Sequence, residues 1–104
     1  MNIDLEFNDR QYRQLCCTID DFDSARSSLA NIASRIEGLI GALEGVTEKH
    51  RNELLREWSN LEITVALCSD ERRYELTKAE ADGIKKSLVA LRDICQSNMT
   101  GSSD

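Results

Sequence analysis

Proline is absent from this 104-residue chain, and aromatic side chains make up only 5% of it. Without proline, nothing in the sequence forces a helix to break, so long helices built from Ala, Leu, Glu, Arg and Ser are expected. No run of residues approaches the ~20 consecutive apolar side chains that cross a bilayer as a helix. The first ten residues, MNIDLEFNDR, are neither basic nor followed by an apolar stretch, so no secretory leader is expected. The chain therefore reads as cytoplasmic, with Cys16, Cys17, Cys68 and Cys95 as reduced thiols. Phosphate-binding loops, dinucleotide fingerprints and HExxH motifs are also missing.

Basic charge is in short supply. Thirteen Lys and Arg face 19 Asp and Glu, a formal net charge of -6. Such a chain is repelled by phosphate backbones and anionic membranes, so neither nucleic acid nor membrane is expected as a partner. The same field favours a basic protein.

What the sequence does carry is an apolar stripe. Leu15, Phe22, Leu29, Ile36 and Leu43 fall seven apart, with Ile19, Ala33 and Ile40 alongside. The spacing predicts one amphipathic helix over residues 9–44, ~54 Å long if continuous. A bend fits best at DSARSSLA, where serines weaken helix propensity. Asn8 is the expected N-cap, with Gln11 three residues on and Phe7 and Tyr12 as a hydrophobic staple. Gly45 is the expected stop. Close packing or a bend near Gly38 and Gly41 is also expected.

Thr47 should cap a second helix over 48–60, with Leu54, Leu55, Trp58 and Leu61 inward. The segment 61–68, LEITVALC, reads both as helix and, by alternation, as strand. Thr77 with Glu80 forms a capping box opening a third helix over 78–96. The matched patterns LEFNDRQ and YELTKAE allow short strand pairing between residues 2–7 and 72–76. The expectation is thus a mainly α, three-helix antiparallel bundle over 1–97, followed by a flexible tail at 98–104.

The stretch CCTIDDFD, Cys16 to Asp23, looks most like chemistry. Adjacent cysteines on a helix diverge, and no paired Cys-x-x-Cys spacing exists, so no metal site is expected. A set drawn from Cys16, Cys68, Cys95 and His50 would need three helices to converge. No calcium-loop glycine follows the aspartates. No catalytic residue, cofactor or enzymatic activity is expected. Asp20, Asp21 and Asp23 form an acidic face suited to a basic partner, and Trp58 is either a core anchor or an interface anchor.

Two function classes fit. The first is a small acidic interaction module that masks or inhibits a basic partner, as toxin-neutralising immunity proteins, enzyme inhibitors and phage counter-defence proteins do. The second is a self-associating structural subunit or adaptor. The long stripe exceeds what two shorter helices can cover, so a homodimer joined through Phe22, Leu29 and Ile36 is expected.

Overall fold

The computed structural model describes residues 3–73 and 75–99, with side chains described from Glu6 onward. Four helices run in chain order: α1 (Ile3–Asp23), α2 (Leu29–Ala42), α3 (Glu48–Asp70) and α4 (Lys78–Asn98). α1 packs along α2 and α4, and α3 packs along α2 and α4, while the diagonal helices do not pack side by side. Side-chain bonds fix the directions. Asn8 on α1 meets Glu44 just past α2, Trp58 on α3 meets Ala33 on α2, and Asn60 on α3 meets Ser87 on α4. Short connections and antiparallel neighbours make an up-down-up-down bundle.

The expected single helix over 9–44 is therefore two helices, and the three-helix bundle is a four-helix one. The chain reverses between Asp23 and Leu29. Ala25 adopts φ 58°, in the left-handed region. Arg26 N–H donates to Asp21 O at 2.8 Å and Ala25 N–H to Phe22 O at 3.0 Å, the paired bonds of a Schellman stop. Ser28 then caps α2 by accepting from Asn31 N–H. α3 ends in the same way: Arg72 has φ 54°, Arg73 N–H donates to Cys68 O and Arg72 N–H to Ser69 O. In both stops a residue with a Cβ occupies the place that glycine usually takes.

Reversal lets the stripe cover itself. Tyr12, Leu15 and Ile19 of α1 join Ile32, Ile36 and Ile40 of α2 in one core with Leu54, Leu61, Ile84, Leu88, Leu91 and Cys95. Ile36 has no exposed surface, which removes it as a dimer-interface residue, and Phe22 and Leu29 are half-buried against the same core. The premise that the stripe needs a second chain to cover it does not hold.

Other local expectations change too. Asn8 is not a cap, because α1 already begins at Ile3. It is buried, and its Nδ2 donates to Glu44 O at 2.7 Å while its Oδ1 accepts from Glu44 N–H at 2.9 Å. Phe7 lies inside the helix with the Arg10 guanidinium 6.0 Å from its ring centre. Residues 61–68 are helical throughout. Among the described residues there is no strand: 3–7 lie in α1, 72, 73, 75 and 76 lie between α3 and α4, and residues 2 and 74 fall outside the description. Asn98 closes α4, and residues 100–104 of the expected tail lie outside the described residues. Nothing lies within 4 Å of a Cβ built on Gly38 or Gly41, so close packing does not explain them.

The α2–α3 connection is held by a polar latch. Arg51 donates from Nη1 to Ile40 O at 2.6 Å and from Nη2 to Leu43 O at 2.7 Å, satisfying carbonyls at the end of α2. His50 Nε2 and Tyr12 Oη lie 2.8 Å apart, tying the start of α3 to α1. Two stability predictions follow from these contacts. Ala25→Gly should raise unfolding stability by about 0.5–1 kcal/mol, since relief of left-handed strain exceeds the added chain entropy. Asn8→Ala should lower it by about 1–3 kcal/mol by leaving Glu44 without its buried partner. Urea unfolding followed by circular dichroism measures both, and a destabilising Ala25→Gly would contradict the Schellman stop.

Candidate functional site: an apolar groove between the first and last helices

α1 ends against the first half of α4, and the two helices part there. Between them lies a groove of about 490 Å³. Ile19 and Phe22 of α1 and Ile84 and Leu88 of α4 line it, and Leu76, from the preceding connection, also contributes. Asp23, Lys85, Val89 and Arg92 add charge and one further apolar side chain. Val89 is 52% exposed, unusual for a large apolar residue on a helix whose inward stripe is already complete.

The acidic residues read from the sequence are brought to this neighbourhood but do not act as one face. Asp20 accepts from Arg92 at 2.5 Å, and Asp23 lies 4.0 Å from the same guanidinium. Asp21 points to the other side, where Arg35 of α2 approaches to 3.2 Å. The Asp20 and Asp23 side chains remain 61% and 63% exposed, so their pairing with Arg92 is a surface contact of small energy. Trp58 is remote from the groove. Its Nε1–H donates to Ala33 O at 2.8 Å and its ring packs half-buried on the core, which is the geometry of an anchor between α3 and α2.

Lys85, Val89 and Arg92 were not singled out by the sequence pattern. The signal available was Val89 itself, which stands off the stripe Ile84, Leu88, Leu91, Cys95 in KSLVALRDIC. Arg92 takes its place at the groove only through the antiparallel α1–α4 pairing.

The cysteines differ in environment. Cys17 is exposed, Cys16 and Cys68 are half-buried, and Cys95 is buried. Burial pushes the Cys95 thiol up to about 12, and burial also raises Cys16, with Arg92 opposing. Tyr12 is pushed up to about 12, by burial first and then by neighbouring Cys95 and Asp9, with Arg51 opposing. Among the described residues no three His, Cys, Asp or Glu side chains are grouped to hold a metal ion. None of the described helices is long and apolar enough to cross a membrane.

Comparison with known proteins adds no relative: no protein-family model, no curated protein and no solved structure matches the chain.

The raised Tyr12 and Cys95 values set an alkaline limit on stability. Both groups hold their proton more tightly when folded, so their contribution is complete below the ordinary values of 9.0 for Cys and 10.0 for Tyr. It is lost as pH climbs from 9 towards about 12. Urea midpoints should fall steadily over that window, and Cys95→Ala should flatten the first part of the fall. In native protein at neutral pH, Ellman's reagent should modify Cys17 first and Cys95 last; early loss of Cys95 would contradict its burial.

Proposed function

We propose that this protein is a small protein–protein interaction module that masks a basic partner, and that the α1–α4 groove is where it takes hold. The observation that carries the reading is the groove: an apolar floor open to water, with the exposed carboxylate of Asp23 in its lining, and that of Asp20 beside it on Arg92. An apolar side chain from a partner would enter between Phe22 and Leu88. A partner cation could compete with Arg92 for Asp20 and Asp23, since these are exposed pairs. The net charge of -6 would speed encounter with a basic surface. Masking by occupation needs no catalytic group.

Self-association, as in a structural subunit or adaptor, is the second reading. A separate observation favours it: Ile63 and Leu67 of α3 are 57% and 46% exposed.

Affinity capture from the source cell tests the first reading. Wild-type protein should recover one basic protein in stoichiometric amount, with binding that weakens as salt rises. Val89→Asp, at an exposed position that leaves the core intact, should reduce that binding at least tenfold. Equal capture by both proteins would remove the groove from the account. Recovery of this chain alone would favour self-association over masking.

A further inference from the structure

The second half of α3 is apolar on two sides. Leu61 is buried and Val65 packs against the core, while Ile63 and Leu67 face out at 57% and 46% exposure. Ile63 lies nine residues after the buried Leu54, about 180° round the helix. A surface helix ordinarily keeps that side polar. The register of α3 on α2 adds to the exposure. Trp58 sits level with Ala33, four residues from the start of α2, whereas α3 continues twelve residues to Asp70. The last turns of α3 therefore run past the start of α2.

Along the outward face, Arg56, Ile63 and Asp70 fall seven residues apart and form one stripe. Ser59 and Ala66, also seven apart, flank it with small side chains. Arg56 and Asp70 are exposed, and among the described residues neither side chain forms an ion pair. The stripe is thus positive at one end, apolar in the middle and negative at the other. Turned end for end, it complements itself.

We propose that a second copy of this chain docks on this stripe, α3 antiparallel to α3, with a two-fold axis at Ile63. Arg56 of each copy then faces Asp70 of the other, the reciprocal contact that a two-fold interface requires. A parallel pairing would instead set Arg56 against Arg56 and Asp70 against Asp70. Ser59 and Ala66 allow the helix axes to approach to about 8–10 Å. Beside Ile63 a depression of about 380 Å³, bordered by Thr64, Ala79 and Gly83, leaves room for a facing side chain. The contact takes Ile63 and Leu67 of both copies out of water together. This proposal rests on the self-association reading and is independent of the α1–α4 groove.

Sedimentation equilibrium of the full chain, from micromolar to hundreds of micromolar, tests it. Wild-type protein should show a monomer–dimer equilibrium. Ile63→Asp should be monomeric with an unchanged helical circular-dichroism spectrum, because the side chain stands outside the core. Arg56→Asp and Asp70→Arg should each weaken the dimer roughly tenfold, since two like-charged contacts replace two opposite ones. The double variant should recover to within roughly threefold of wild type. A monomer at every concentration would overturn both this proposal and self-association. A dimer indifferent to Ile63→Asp, or charge variants without rescue, would overturn only the α3 interface.

Discussion

Everything in this fold depends on the reversal of the chain between Asp23 and Leu29. The first 44 residues carry one apolar stripe, and a stripe on a straight helix faces a single direction. Folding it back at Ala25 and Ser28 makes two faces of it, so that Leu15 and Ile19 meet Ile32, Ile36 and Ile40. The isoleucines of α2 are fully buried only because α1 returns over them. The cost is a left-handed alanine at the turn, of order 1–2 kcal/mol before the capping bonds offset it. The far end is secured separately, by Asn8 on Glu44 and by Arg51 on the last carbonyls of α2.

The same reversal shapes the surface. With α1 antiparallel to both α2 and α4, its C-terminal turn reaches the first half of α4 and leaves the groove lined by Phe22 and Leu88. With α2 only 14 residues long against 23 for α3, the last turns of α3 run past the first turn of α2. The groove is thus a consequence of helix register, and the outward α3 stripe of apolar side chains standing opposite the buried Leu54. Each leaves apolar side chains in water, and each is a separate place where binding would recover hydrophobic energy.

Much of the helical content was legible in the residues. The stripes through Leu15 and Ile36, the capping box of Thr77 and Glu80, and the cap at Thr47 all mark helices that the fold contains. The break at Ala25 was harder to read, because left-handed stops are usually glycine and the serines nearby only weaken a helix. Asn8 has the residue type of a cap, but its partner lies 36 residues away, a contact that local sequence does not encode. The strand-like alternation of LEITVALC has a physical source: Leu61 and Val65 face in while Ile63 and Leu67 face out on one helix. Of the candidate site, Phe22 and Asp23 were visible on α1, whereas Lys85 and Arg92 join them only through tertiary pairing. Asp21 and Trp58 are turned instead to α2, through Arg35 and Ala33.

The central claim is that α1 and α2 fold onto each other, and one nuclear Overhauser measurement addresses it without any substitution. The side-chain amide group of Asn8 brackets the backbone of Glu44, with Glu44 N–H donating to Asn8 Oδ1 at 2.9 Å. A helix continuous from residue 8 to 44 would hold the two ~54 Å apart. The account predicts a cross-peak between the Asn8 side-chain amide protons and the Glu44 amide proton. Its absence, together with unbroken helical cross-peaks through Ser24 to Ser28, would contradict the reversal and the bundle built on it.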